Sequence, residues 1–372
     1  DAGKAYRTRI DELLLVALAR VLCRWSGRDT VHVELEGHGR EAIFEAVDLT
    51  RTVGWFTTTY PARLTPSESL SASIKTIKEQ LRSIPRRGLG FGVLKYCSDS
   101  EAGTRLRQLP QPPVTFNYLG QFDASFDAET SLFVPATESC GADRDADAPL
   151  GNALELSGQV YGGELVLTWS YSRARYHAAS IEKLSLDYRK ELESIIEHCL
   201  SGVSGVTPSD YPLAGLTQDE IDRMTLPFDH IADLYPLSPL QQGLFYHALH
   251  EPEAGYYVNQ LAIDVAGLDA ERFKAAWQAT VGHHAILRTG FIWEGGLRQP
   301  LQAVFKTVDC RITVEDRAAK VSDDDLVELQ RADHRRGFDL SDPPLMRLRL
   351  IKTGDRRYHL IWTCHQIGRA HV

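Results

Sequence analysis

The chain has no apolar run approaching the roughly 18 residues that a membrane-spanning helix requires. No basic start followed by a short apolar core stands at its beginning, so no signal peptide is expected there. Cysteine is sparse. The six thiols (Cys23, Cys97, Cys140, Cys199, Cys310 and Cys364) are scattered singly and none forms a C-x-x-C pair. Neither a disulfide framework nor a zinc site is therefore expected, and no other metal is implied. Basic charge is not in excess, since 41 Lys and Arg face 50 Asp and Glu for a net charge of −9. That balance gives no electrostatic ground for a nucleic acid or an anionic membrane as partner. No segment repeats at a fixed period. The expectation is a cytoplasmic α/β protein with reduced thiols. Its 372 residues, 43% of them hydrophobic, suffice for two or three domains with real cores.

There is no initiator Met, and residues 10–25 (IDELLLVALARVLCRW) already read as a buried helix with few polar positions. The chain is thus expected to open inside a domain. Residues 31–35 alternate as a short strand and lead into a Gly-rich turn, EGHGRE, at 36–41. Thr65-Pro66-Ser67-Glu68 has the form of a capping box with Pro at the first helical position. Leu70, Ile74, Ile77, Leu81 and Ile84 follow as one apolar stripe, and residues 85–92 should break that helix. Residues 123–150, rich in Asp, Ala, Ser and Pro, read as a surface excursion. A strand is expected at 165–171. Then comes an amphipathic helix with Ile181, Leu184, Tyr188, Leu192, Ile195 and Cys199 on its apolar side. Residues 201–228 carry Gly, Pro and Ser without a core pattern, as a linker would. Beyond it, Phe273, Trp277, Val281 and His284 mark a helix, and YHLIWT (358–363) marks a strand. Strands alternating with helices in both halves predict layered α/β lobes.

Four segments of the first half occur in order: EGHGRE (36–41), DLTRTVGWFTTTYP (48–61), GLGFGVLKY (88–96) and FNYLGQFD (116–123). Together they resemble the later motifs of epimerization domains in non-ribosomal peptide synthetases. In the second half, LSPLQQGLFYHAL (237–249), HHAILRTGF (283–291) and GFDLSDPPLMRLRL (337–350) resemble the opening motifs of a condensation domain. The resemblance implies α/β (α+β two-layer) lobes like those of chloramphenicol acetyltransferase, here as tandem half-domains with neither pseudo-dimer complete. Residues 1–203 would be the second lobe of an epimerization domain, 204–233 a linker, and 234–366 the first lobe of a condensation domain. Each lobe is expected to expose apolar surface where its missing partner would pack.

Epimerization inverts Cα of an aminoacyl or peptidyl thioester, so it needs acid/base groups flanking Cα and hydrogen bonds to the developing enolate oxygen. The resemblance assigns acid/base work to Glu36. A free carboxyl titrates near pH 4.3, and burial would have to raise it before it could donate a proton well. Gly37 and Gly39 would allow a tight turn and close approach of substrate. On the residues alone, Glu36 could equally be a turn carboxylate paired with Arg40. Glu34 and Glu41 are weaker rivals, and His38 suits a structural role that orients the turn. Asn117 and Tyr118 suit the enolate oxygen or a bound amide, or else are satisfied core polar groups. Tyr96 reads as a packing residue. The family's other catalytic group, a His of an HHxxxDG motif, has no counterpart before Glu36, so half of the acid/base pair is expected to be absent. With neither active-site tunnel complete, this stretch alone is expected to be inactive in both reactions.

In condensation domains the second His of HHxxxDG positions or deprotonates the attacking amine. Here the strand runs into Cys364-His365. His365 matches the first, mainly structural, His, and Gln366 replaces the second. Arg288 and Asp339 match positions usually read as fold-supporting salt-bridge partners. His283 and His284 suit a helix surface. Ser238-Pro239-Leu240-Gln241-Gln242-Gly243 matches the opening motif of members that take a D-configured donor, where L-donor members tend to have Arg at the Gly243 position. No carrier motif with a modifiable Ser and no adenylation motif is present. The resemblance therefore implies 4'-phosphopantetheine on neighbouring carrier domains, not attached to this chain. It also implies upstream and downstream peptidyl carriers and adenylation domains of the same synthetase as partners. A different reading makes the lobes a degenerate platform that docks carrier proteins without catalysis. Residues 367–372 (IGRAHV) match one frame of a common sequencing adapter, ATC GGA AGA GCA CAC GTC preceded by AG. On that reading Gln366 is a hybrid codon, and the gene is expected to encode His there, followed by three residues and Asp-Gly.

Overall fold

A computed structural model describes residues 2–41, 43–121, 138, 141, 145, 148, 150–251, 255–317 and 321–369. Most of the 123–150 excursion and Cys140 lie outside the described residues, as do residues 370–372 of the adapter-like end. The chain divides into two units, Asp1–Thr207 and Pro208–Val372.

In the first unit, α1 (Ile10–Ser26) is apolar nearly all round and is buried from Glu12 through Cys23 except at Arg20. Glu12 closes a capping box on Arg9, and Gly27 ends the helix at φ +65°. Strands β1 (Val31–Gly37) and β2 (Thr58–Leu64) come next, then α2 (Leu70–Arg82), α3 (Leu89–Cys97) and α4 (Glu101–Gln108). After β3 (Val114–Gln121), β4 (Leu154–Tyr161) and β5 (Glu164–Tyr171), α5 (Ala178–Leu200) closes the unit. The sheet order is β2-β1-β3-β4-β5. The two outer pairs run antiparallel, and β1/β3 and β3/β4 run parallel.

Period-two alternation sorts this sheet into an apolar and a polar face. Val33, Leu35, Phe116, Leu154 and Leu156 join α1, α2 and α5 in one core. Each fully buried aliphatic side chain there contributes about 2 kcal/mol. The stripe expected on α5 is the stripe that packs: Ile181, Leu184, Tyr188, Ile195 and Cys199 are buried, and Leu192 partly so. Trp169 of β5 meets the Tyr188 ring edge-on at 5.6 Å.

Three expectations fail locally. The helix does not start at Thr65-Pro66-Ser67-Glu68; Ser69 is the N-cap of α2, accepting from the Ala72 amide at 3.1 Å. Arg20 explains the shift. Its guanidinium draws the Ser67 and Glu68 carbonyls at 2.9 and 3.1 Å, away from any helical ladder. The break after α2 is also shorter than 85–92. Three consecutive left-handed residues, Arg86, Arg87 and Gly88, turn the chain, and α3 resumes at Leu89. Tyr96, expected to pack, is 68% exposed on α3, and Val53 and Trp55 of the 48–61 motif are exposed as well.

The second unit begins in the segment expected to be a linker, which is itself ordered. Tyr211 and Ile221 are buried, and α6 (Gln218–Arg223) is closed by a Thr217/Glu220 capping box. Strand β6 (Ile231–Pro236), α7 (Pro239–His250), β7 (Val258–Ala266), α8 (Ala270–His283), β8 (Thr289–Ile292) and β9 (Leu301–Phe305) follow. Then come β10 (Ile312–Asp316), α9 (Asp323–Arg335), β11 (Met346–Gly354) and β12 (Arg357–His365). They form a four-stranded sheet, β10-β11-β12-β7, and a three-stranded sheet, β6-β9-β8. On one face of the larger sheet, Met346, Leu348, Leu350, Leu360 and Cys364 pack with Phe273, Trp277 and Val281 of α8. On the other, α9 is held by polar contacts: Asp333 takes Arg347 at 2.9 Å, and Gln330 meets the His359 ring at 2.9 Å. Gly290 of the 283–291 motif lies against the 337–350 motif so closely that a Cβ would stand 2.8 Å from the Ser341 carbonyl oxygen. Ile367 is fully buried in a cluster with Leu237, Phe291, Leu340 and Leu345.

Candidate functional site

The C-terminal end of β1 opens into a cavity of about 650 Å³, within the usual range for small-molecule sites. Glu36, His38, Glu41, Tyr60, Arg87, Asn117 and Tyr118 are among its lining residues. Four sequence-predicted site residues therefore meet in one place.

Glu36 and Asn117 are directly joined: the Asn117 amide donates from Nδ2 to Glu36 Oε2 at 2.7 Å. Both project from the polar face of the sheet. Glu36 has its carboxyl held above the usual range, first by partial loss of water and then by the negative charges of Glu155 and Glu34. The Asn117 bond acts the other way by favouring the ionised form. The turn beyond Glu36 needs glycine at position 39, where φ is +66° and a Cβ would overlap the Phe56 carbonyl oxygen at 1.6 Å.

Arg40 does not pair with Glu36. It donates to the Leu49 carbonyl at 2.7 Å and stacks over the Phe56 ring at 4.3 Å. His38 accepts from the Arg40 backbone N–H at Nδ1 (3.0 Å) while Nε2 stands 3.3 Å from Glu41. These contacts tie the turn together. Glu34 is engaged by Asn152 Nδ2 at 2.9 Å, and Glu41 also lies 3.9 Å from Arg87. Tyr118 reaches the cavity from the other side of the sheet, where it packs against the core. Burial and then Asp11 raise its phenol above the usual range, so it is a proton-bearing donor at neutral pH.

Glu155 and Asn152 escape a motif search because they lie outside the four motifs. The alternation Leu154-Glu155-Leu156-Ser157 is the signal that would have placed Glu155 on the polar face.

In the second unit, His365 is buried at the end of β12 and lines a separate cavity of about 300 Å³ with Tyr256, Trp293, Phe338 and Asp339. Burial lowers its pKa to about 4, leaving a neutral ring. Nδ1 accepts from the Ile367 N–H at 3.2 Å, which places the proton on Nε2. Gln366 is exposed, and its backbone N–H donates to the Tyr257 carbonyl at 2.7 Å. His283 and His284 are exposed at the end of α8, their rings edge-on at 4.9 Å.

Arg288 and Asp339 support the fold in a manner different from the expected salt bridges. Arg288 donates to the carbonyls of Val281, Phe305 and Lys306. Asp339 holds a turn through the Ser341 N–H at 2.9 Å and hydroxyl at 2.7 Å. The opening motif is a helix cap: Ser238 and Gln241 form a capping box around Pro239 at the N-terminus of α7. Gln241 is buried and donates to Gln302 Oε1 at 2.9 Å.

Among the described residues no three His, Cys, Asp or Glu side chains gather as a metal site would require, and no helix is long and apolar enough to cross a membrane.

The profile of the condensation-domain family matches residues 1–210 and 231–367. Over 370 residues the chain is 41% identical to a linear gramicidin synthase polypeptide of Brevibacillus parabrevis, covering 98% of this chain and 5% of that protein. Tyrocidine synthase 1 of the same organism is 44% identical over 232 residues, covering 59% of this chain and 21% of that protein. The chain thus spans a small part of the length of the curated relatives it matches. The crystal structure of the epimerization domain from the third module of tyrocidine synthetase B is 37% identical, with a TM-score of 0.50, over 54% of this chain and 44% of that one. The chain belongs to the condensation-domain family of non-ribosomal peptide synthetases.

Proposed function

We propose that the first unit is the second lobe of an epimerization domain and the second unit is the first lobe of a condensation domain. Glu36 is the acid/base group for Cα of a thioester carried on the 4'-phosphopantetheine of a neighbouring carrier domain. The observation that carries this reading is the Asn117–Glu36 hydrogen bond of 2.7 Å, set in a cavity beside a carboxyl whose proton affinity is raised. A glutamate whose proton affinity is raised can exchange a proton with Cα nearer neutral pH than an ordinary carboxyl. Asn117 orients it. Tyr118 supplies a hydroxyl toward the same cavity, suited to the oxygen where enolate charge develops. The partner acid/base group belongs to the other lobe of the domain, so the isolated chain is inactive in epimerization. In the same way, the cavity beside His365 becomes a condensation site only with its second lobe. The carrier domains that present the thioesters, and the adenylation domains that load them, complete the partners. The helix-capping Ser238-Pro239 motif with Gly243 supports a preference for the D-configured donor, which epimerization immediately upstream would supply.

The test is α-proton exchange in the full-length synthetase module carrying this chain. With an L-aminoacyl carrier in deuterated water, Glu36→Gln should slow deuterium entry at Cα by about a hundredfold or more. Carrier binding should be unchanged. Exchange at the wild-type rate would remove Glu36 from this role.

A further inference from the structure

The polar face of the first unit's sheet carries three carboxylates on neighbouring positions. Glu34 and Glu36 are two apart on β1 and so share that face. Strand register carries the row across the sheet: Glu34 pairs with Thr115 of β3, and Thr115 pairs with Glu155 of β4. The adjacent row holds Asn117, paired with Ser157. Amides and a hydroxyl hold these groups in place. Asn152 donates to Glu34 and to Thr115, Asn117 donates to Glu36, and Ser157 makes a long contact of 3.4 Å with Glu155. Carboxylates on adjoining positions of one face disfavour one another's ionisation. Glu155 itself stands between uncharged partners, Thr115 on one side and Ser170 on the other.

Resting on the reading of Glu36 as the acid/base group, we propose that Glu155 and Glu34 are positioning residues for it: fixed charges on one sheet face that set its charge state. Burial and these two charges raise the proton affinity of Glu36 together. The other groups facing Glu36 around the cavity are accounted for. Arg9 is held by Asp11 at 2.9 Å, and Arg82 by the buried Glu12 at 2.9 Å. His38 and Arg87 both lie beside Glu41, and Tyr60 keeps its proton because burial raises its phenol. Glu36 itself accepts a hydrogen bond from Asn117.

The experiment uses the full-length module and measures the pH dependence of deuterium entry at Cα. Glu36→Gln is the reference variant. If it abolishes exchange, the acid/base reading stands. Glu155→Gln and Glu34→Gln should then each move the limb that titrates Glu36 to lower pH, because a repelling charge has gone. The Glu155 variant should show the larger shift, and added salt should shrink the difference from wild type. Glu155→Asp, which keeps the charge, should restore the wild-type profile. A purely structural role would change rate or stability without moving the limb. Exchange abolished in Glu36→Gln with an unmoved limb in both glutamine variants overturns the positioning proposal alone. Exchange that survives in Glu36→Gln overturns the reading beneath it.

Discussion

Asn117 on β3 and Glu36 on β1 face one another across a parallel strand pair, and a single N–H···O bond of 2.7 Å links them. This bond stabilises the ionised carboxyl against the burial and like charges that favour the protonated one. Asn117→Leu removes the donor while keeping the same branched side-chain shape and number of heavy atoms. The titration limb of Glu36 in the full-length module should move to higher pH, the opposite direction to that expected for Glu155→Gln. Because a hydrogen bond to a charged group is worth about 1.5–3 kcal/mol, the limb should move by roughly one to two pH units. A limb that stays in place would mean that Asn117 does not tune Glu36.

The helices are legible wherever an apolar stripe decides them. The α5 stripe from Ile181 to Cys199 and the apolar α1 are visible because burial, the largest driving force for folding, leaves a period in the sequence. The start of α2 is not, because Arg20, nearly fifty residues earlier, takes the Ser67 and Glu68 carbonyls. A local capping signal cannot register a partner that far away. The site divides along the same line. Glu36, His38 and Asn117 stand in motifs, whereas Glu155 enters through strand register, which becomes visible only once β3 and β4 are paired. Arg288 reads as an ion-pair partner from the family resemblance, which gives its position but not its acceptors, here backbone carbonyls.

Glu12 is fully buried in α1 and is bound by Arg82 at 2.9 Å and by the Arg9 backbone N–H at 2.8 Å. Arg82→Met would leave a carboxylate in the core without its nearer guanidinium, only that of Arg9 remaining at 3.5 Å. Breaking such a pair from one side costs about 3–5 kcal/mol, so urea unfolding of the first unit should shift by that order. The double variant Glu12→Leu with Arg82→Met should recover much of the loss, since a neutral apolar pair carries no desolvation penalty. Equal destabilisation in the single and double variants would show that helix capping by Glu12, not the ion pair, is what matters.

His365 makes the second unit sensitive to acid. Its folded pKa is depressed to about 4, below the ordinary 6.5, by burial. The unfolded chain therefore binds the proton first. The contribution of the neutral ring is complete above about pH 6.5 and is lost as the pH falls toward 4, at up to about 1.4 kcal/mol per pH unit. Unfolding followed at pH 7 and pH 5 should show this loss in wild type and a flatter dependence in His365→Gln. A wild-type profile as flat as that of the variant would place the acid sensitivity elsewhere.

Gly243 lies inside α7, where glycine is about 1 kcal/mol worse than alanine. Nothing stands within 4 Å of the position a Cβ would occupy, and φ is not in the left-handed region. The fold of this unit therefore does not require glycine there, whereas the rest of the motif has evident structural work: Ser238, Pro239 and Gln241 cap the helix, and Gln241 is buried against Gln302. A costly glycine with open space around it fits a position kept clear for what binds in the completed domain. Gly243→Ala should raise stability by about 1 kcal/mol in chemical unfolding. Gly243→Arg should leave the fold intact yet erode the preference for a D-configured donor. Chemically loaded D- and L-donors, presented separately to the full-length module, measure this as a ratio of condensation products. The wild-type ratio should favour D, and the arginine variant should bring it toward L. Because the capping residues are untouched, a changed ratio with an unfolding midpoint no lower than that of the wild type assigns the effect to donor selection. A wild-type ratio near one, or a D preference that survives the arginine, would remove the opening motif from donor selection.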